Sequence, residues 1–232
     1  MDIDLNADLG EGAGFDAELM PLITSANVCC GLHAGGPLEI RATLELARQH
    51  RVVVGAHPGY HDRDGFGRRE LALTGQQLLD LCIYQISALD ALARGSDVEL
   101  RYIKAHGALY NQACRDDDVA LAFSMAAYAW NLPVVGLPGS KLEAAVRDRG
   151  LFFIPEGYVD RRYRPDGSLV PRTEPNAFIE DPHEAVQQVE RLIREKGVRT
   201  LCVHGDNPRA VAFAKAVREA LLARGFSLKP FA

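Results

Sequence analysis

The sequence predicts an α/β fold, a parallel sheet flanked by helices, laid out as one domain over residues 1–232. Three observations carry that expectation. Short apolar runs alternate with helix-period segments from end to end. Capping residues, prolines and glycines punctuate the helical segments. Ionisable side chains collect at the carboxyl ends of the apolar runs, the edge at which α/β sheets and barrels bind ligands. With 232 residues, 47% hydrophobic and 25% charged, the chain has the length and apolar content for a sizeable core.

Candidate strands cover residues 3–8, 26–30, 52–57, 100–106, 133–137, 151–156 and 200–204. Helical patterns lie near 16–24, 37–50, 75–94, 117–131, 140–149, 182–196 and 208–224. Thr74 with Gln77, Ser140 with Glu143 and Asp181 with Glu184 have the spacing of capping boxes, in which each partner satisfies a backbone amide of the other. Pro37, Pro182 and Pro208 suit a first helical position, where a missing amide hydrogen costs nothing. Gly150, Gly197 and Gly225 suit helix exits. Strict β–α alternation implies a parallel sheet and leaves two arrangements, an open doubly wound sheet or a closed barrel. Two long connections, 58–74 and 157–181, follow strands and are rich in Gly, Arg and Asp; connections of that length usually carry function.

Composition narrows the partners. A net charge of −5 counts against nucleic acid, which asks for a basic face. The neighbouring pairs Arg68-Arg69 and Arg161-Arg162 read as solvated edges. Cys29, Cys30, Cys82, Cys114 and Cys202 are odd in number and without C-x-x-C spacing, the pattern of a reduced, cytoplasmic protein. Met1-Asp2-Ile3-Asp4 lacks the basic and apolar regions of a signal peptide, and no apolar run is long enough for a membrane span.

The chemistry sits at the strand ends. The first run ends Asn6-Ala7-Asp8, with Glu11 beyond it. His33 follows the second, and the third, fourth, sixth and seventh end at His57, His106, Glu156 and His204, the last followed by Asp206. Residues two apart on a strand share a face, so Asn6 groups with Asp8 and Lys104 with His106, while Ile3, Leu5, Ala7, Ile103 and Ala105 face the helices. A lysine turned into a barrel needs a carboxylate, and Asp4, Asp8, Glu156 and Asp206 are the available partners. His50 at a helix end and His183 in a first turn have structural readings, and His61 lies in a long loop. Cys29, Cys30 and Cys202 read as small core residues rather than nucleophiles. The strand-end His and Asp residues are of the types that coordinate a divalent ion, although no H-E-x-x-H spacing supports one. The chain has no G-x-x-x-x-G-K-[ST] element, and Gly139-Ser140-Lys141 reads as an ordinary helix cap.

Several strings taken together resemble the LamB/YcsF family, to which the A subunit of bacterial 5-oxoprolinase belongs. They are Asp4 through Glu11, Ser25-Ala26-Asn27, Gly31 through Gly35, Gly55 through Tyr60, Gly65 through Arg69, Lys104 through Asn111, and Cys202 through Pro208. Ala105 departs from the proline usual there. The resemblance implies a single-domain (β/α)7 TIM-like barrel of the polysaccharide deacetylase type, a fold in which strand-end Asp and His residues often hold a metal. It also implies ATP-dependent opening of 5-oxo-L-proline to L-glutamate, with ATP as co-substrate and separate B and C subunits as partners.

On this reading Asp8, His57, Lys104, His106 and His204 are the candidate catalytic residues. Asn6, Glu11, Asn27, His33, Arg68 and Asp206 are candidates for binding substrate. Asp8 or a strand-end His would activate water, Lys104 with Arg68 would stabilise developing negative charge, and His106 or His204 would protonate the ring nitrogen. Two alternatives are a stand-alone metal-dependent amidohydrolase or deacetylase, and a non-catalytic lactam-binding subunit.

Overall fold

In the computed structural model, which describes residues 1–204 and 209–231, period-2 segments form strands and period-3.6 segments wrap around them. The elements run β1 (Asp2–Leu9), α1 (Asp16–Leu19), β2 (Ser25–Cys29), α2 (Pro37–His50), β3 (Val53–His57), α3 (Gly75–Arg94), β4 (Leu100–Lys104) and α4 (Gly107–Arg115). They continue with α5 (Asp117–Tyr128), β5 (Val134–Gly136), α6 (Lys141–Asp148), β6 (Phe153–Tyr158), α7 (Pro182–Lys196), β7 (Thr200–Val203), α8 (Ala210–Ala223) and β8 (Ser227–Leu228). β1 to β7 pair in chain order, all parallel, and β1 pairs with both β2 and β7. That double pairing closes the barrel and decides between the two arrangements the sequence leaves open. β8 adds at the amino end of β1, Asp2 opposite Ser227. Phe231 then packs 5.0 Å from the inward-facing Tyr102. Among the described residues no helix is long and apolar enough to cross a membrane.

The two faces of the barrel wall differ in kind. Outward, Ile3, Leu5, Ala7 and Leu9 of β1 join the helix stripes of α2 (Ile40, Leu44, Ala47), α3 (Leu78, Cys82, Ile86, Leu89) and α8 (Ala214, Val217, Leu221) in one buried apolar shell. Burying a side chain of this size stabilises by roughly 1.5–3 kcal/mol. Inward, the wall is largely polar. The Asp4 carboxylate accepts from the hydroxyls of Ser25 and Thr24, each at 2.6 Å, and from Thr200. One layer up, Asn6 donates to Thr200 and Glu156 and accepts from Asn27 at 2.7 Å. Barrels of this general kind usually fill the interior with branched apolar residues; here hydrogen bonds fill it. Gly55 makes room for the Tyr102 ring, since a Cβ there would lie 2.2–2.4 Å from ring atoms.

Several details differ from expectation. The sixth strand runs on to Tyr158, so Glu156 lies inside the barrel rather than at its mouth. The helix α4 is absent from the expected segments; it opens on Gly107 straight after β4 without a side-chain cap and ends at Asp116, which caps α5. The strand β8 is likewise absent from them. Of the three capping boxes only Thr74–Gln77 is complete. Ser140 caps α6, but Glu143 reaches past it to the Gly139 amide at 2.7 Å. Asp181 caps α7 through the His183 amide, while Glu184 pairs with Arg162. Pro208 lies outside the described residues.

Candidate active site

At the carboxyl end of the strands is a cavity of about 700 Å³. It is lined by Asp8, Glu11, His57 and His106, and by His204, Tyr158 and Tyr110. The connections predicted to carry function form its outer walls, through Arg68 and Glu70 on one and Arg161 to Arg172 on the other.

Asp8 sits at the top of the polar interior. Its Oδ1 accepts from Asn27 at 2.8 Å and from Lys104 Nζ at 3.2 Å, and lies 3.5 Å from His57 Nε2. Burial alone would raise this carboxyl, but the charges of His57 and Lys104 outweigh it and hold Asp8 well below the usual carboxylate range. Lys104 is 1% exposed, with Glu156 Oε1 at 2.7 Å and Cys202 Sγ at 3.1 Å. Burial opposes its charge, yet Asp8 and Glu156 keep it protonated. The partners for the inward lysine are thus Asp8 and Glu156.

The histidines are held from outside. His57 Nδ1 lies 2.9 Å from the Lys104 carbonyl, and His106 Nε2 lies 2.8 Å from the Phe66 carbonyl. A carbonyl only accepts, so each of these nitrogens carries the hydrogen. When both rings are neutral, the remaining nitrogens, His57 Nε2 and His106 Nδ1, turn their lone pairs toward one another at 3.0 Å. Glu11 Oε1 stands 3.1 Å from His106 Nδ1 and 4.0 Å from His57 Nε2. Four electron-rich atoms, two nitrogens and the carboxylate oxygens of Asp8 and Glu11, converge on one small volume, an arrangement that requires a proton or a cation among them. Imidazoles anchored by an outer N–H to a carbonyl are also typical of metal ligands. Two sets, Asp8–His57–His106 and Glu11–His33–His106, have ligand atoms within 4.8 Å of one another. The residues present fit a divalent ion.

His33 lies behind this cluster. Its ring stacks on His106 at 3.8 Å and 9°, and its Nε2 is 3.1 Å from Glu11 Oε1. Burial, with the neighbouring His106 charge, lowers its pKa to about 4, so it is neutral near pH 7. Despite its burial, the Glu11 carboxyl is brought down by the hydrogen bond from His106, which the protonated ring donates through Nδ1, and by that from His33. The stack is clamped by the connection after β3. Phe66 adopts φ +54°, a strained value for an aromatic residue, and presents its carbonyl to His106. At Gly67 (φ +65°) a Cβ would come within 2.8 Å of both His106 and His33. Buried Gln85 of α3 answers both the amide and the carbonyl of Gly59 at 3.0 and 2.8 Å, holding Gly59 against the His33 ring.

In the same cavity His204 Nδ1 pairs with the Asp160 carboxylate at 2.8 Å, and its ring stacks on Tyr158 at 5.2 Å. Burial would raise Asp160, but His204 draws it below the ordinary range. With Nδ1–H given to Asp160, Nε2 is left to exchange a proton.

The structure thus brings Asp8, Glu11, His57, His106 and His204 to one cavity, with Arg68 on its rim. Four of the expected site residues lie beneath the cavity surface. Asn6 and Asn27 are 1% and 0% exposed and lie below the cavity, where Asn6 donates to Glu156 and Asn27 to Asp8. Lys104 is 1% exposed with its Nζ 3.2 Å from Asp8, and His33 is 0% exposed with its ring stacked on His106. Asp206 lies outside the described residues. Sequence reasoning missed Asp160, Tyr158, Phe66 and Gln85. Extending the sixth strand's alternation from Glu156 through Tyr158 to Asp160 would have found the first two.

Fold and site together define a closed parallel α/β barrel of the polysaccharide deacetylase type with a carboxylate–histidine centre at its mouth. The solved polysaccharide deacetylase from Bacillus cereus shares that fold at a TM-score of 0.50 and 12% identity, over 100% of this chain and 92% of that one. The chain belongs to the LamB/YcsF family, whose model matches residues 3–232. It is 44% identical to the A subunit of the Thermus thermophilus 5-oxoprolinase over 100% of both chains. It also superposes on the crystal structure of a lactam utilization protein from Thermus thermophilus with a TM-score of 0.92 and 42% identity, over 100% of both chains.

Proposed function

We propose that the protein is the A subunit of a 5-oxoprolinase, opening 5-oxo-L-proline to L-glutamate with ATP as co-substrate and B and C subunits as partners. One observation carries this reading: a carboxylate–histidine cluster and His204, paired with Asp160, line a single cavity. Full-length similarity to proteins named as that subunit supports it.

A lactam carbonyl is a poor electrophile because the ring nitrogen donates into it. Phosphorylation of the carbonyl oxygen by ATP, with ADP released, makes the ring carbon attackable by water. The adduct expels the ring nitrogen as an amine to leave an acyl phosphate, whose hydrolysis releases phosphate and L-glutamate. Ring opening then asks for a base beside the water and an acid beside the nitrogen. The cluster at Asp8, Glu11, His57 and His106 supplies acceptors for the water's proton, and His204 Nε2, backed by Asp160, supplies the proton for the leaving nitrogen. Asp8, Glu11, His57 and His106 would hold a divalent ion, which when bound would polarise a substrate oxygen and acidify water. Lys104 keeps Asp8 ionised. We place the protein in the cytoplasm, a reading that its five unpaired cysteines support.

The test is ATP-dependent glutamate release from 5-oxoproline, with and without the partner subunits. Release that needs this chain, ATP and the partners supports the proposal; none under any combination overturns it. The donor set also favours a second reading, a metal-dependent amidohydrolase that needs no ATP. Elemental analysis and ATP-independent turnover abolished by a chelator would select it.

A further inference from the structure

The connection between β6 and α7 is a built flap. Its antiparallel bridges pair Arg161 with Phe178 and Tyr163 with Leu169, and the Ile179 amide donates to the Asp160 carbonyl at 2.9 Å. Arg161 and Arg172 of this flap both line the cavity. Their guanidinium carbons lie 5.3 and 5.4 Å from the centre of the same ring, that of Phe178. Arg161 is 5% exposed, and its Nε and Nη2 donate to the carbonyls of Ala177 and Val170, which orient the group without neutralising it.

Arg161 differs in this from nearby arginines, which are held by carboxylates: Arg162 by Glu184, Arg164 by Glu174, and Arg115 by Glu70. The charge of Asp160 reaches Arg161, and that carboxylate is itself engaged by His204. Burial together with the charge of Arg172 depresses the Arg161 pKa, as expected of cations pressed together. In a chain of net charge −5, these two cations line the same cavity as Asp8 and Glu11. An anion entering this cavity is repelled by the carboxylates and attracted to the flap.

We propose that Arg161 and Arg172 form an oxyanion subsite that holds an anionic group of the substrate at the flap while its carbonyl faces the carboxylate–histidine cluster. The group is a carboxylate or a phosphoryl group. The proposal rests on the lactamase reading above for the identity of the substrate, not for the existence of the subsite.

The experiment compares wild type, Arg172→Gln and Arg172→Lys, each reconstituted with B and C subunits, on 5-oxoproline and on its neutral carboxamide. Inorganic phosphate is titrated into this chain alone by calorimetry, and melting temperatures check folding. If the subsite holds the carboxylate, Arg172→Gln raises KM for 5-oxoproline by about tenfold or more with little change in kcat, and Arg172→Lys recovers part of the loss. The carboxamide is then already impaired in wild type and loses little further. If it holds a phosphoryl group, kcat/KM falls equally for both substrates and phosphate binding weakens by about tenfold. Unchanged KM, kcat and phosphate affinity in a normally melting Arg172→Gln overturns the subsite. Should that variant fail to fold, Arg161→Lys takes its place, judged by the same losses. If wild type releases no glutamate, the lactamase reading has failed and phosphate decides alone. Binding lost in the variant upholds the subsite, while equal or absent binding refutes it.

Discussion

The inner and outer faces of the barrel wall are held by different physics, and the contrast explains how the molecule separates stability from geometry. Outside, Leu5, Leu44, Ile86 and Val217 are non-directional contacts in a dense apolar shell, tolerant of small rearrangements. Inside, Asp4, Asn6, Asn27, Lys104 and Glu156 hold each other in directed bonds that leave little freedom and end at Asp8. The shell keeps the barrel closed; the polar interior aims the residues at its mouth.

Four experiments break or sharpen that contrast. The largest effect is expected from His57→Ala, which removes one of the two facing lone pairs: glutamate release in the reconstituted assay should fall by about 10²–10⁴-fold. The melting temperature should fall less than in the next variant. Lys104→Met strips the counter-charge from Asp8 and Glu156, and chemical denaturation should show a loss of about 3–5 kcal/mol. Loss of activity in that variant therefore reports folding as well as chemistry. Adding Glu156→Gln should recover part of the stability, and strict additivity would mean the pair does not interact. In the shell, Leu44→Ala should cost about 2–5 kcal/mol while leaving kcat of the folded enzyme near wild type; a large change in kcat would erase the division between faces.

The smallest effect concerns Asp4, whose carboxyl burial raises to about 6 from 3.8. Between those values the folded chain binds more protons than the unfolded one, so this group's contribution to stability falls as pH rises through the window. Asp4→Asn removes the titration. Relative to wild type its stability should improve from pH about 4 to about 6, by up to about 3 kcal/mol, and level off above. Urea melts at several pH values would show it, and a flat difference would contradict the assignment.

The outer shell was the more legible half of the fold. Apolar periodicity and the Thr74–Gln77 box announce α3, and alternation along β1 correctly divides Ile3, Leu5 and Ala7 from Asn6 and Asp8. The strand-end rule brought His57, His106 and His204 to one mouth. It did not separate groups on the cavity surface from those beneath it, because depth in a barrel depends on register between strands. Lys104 and Asn27 illustrate this, as both sit one layer lower than their place in the sequence suggests. Alternation past Glu156 points to Asp160 but not to its pairing: its partner His204 is 44 residues away and meets it only when β6 and β7 pair.

Gln85 has a consequence of another sort. By answering both the amide and the carbonyl of Gly59, it does for that residue what a neighbouring strand would do. One helix side chain thereby stands in for a missing piece of sheet at the back of the imidazole stack. Shifting α3 by a single residue along its axis would loosen His33 and His106 without altering any atom that faces the cavity.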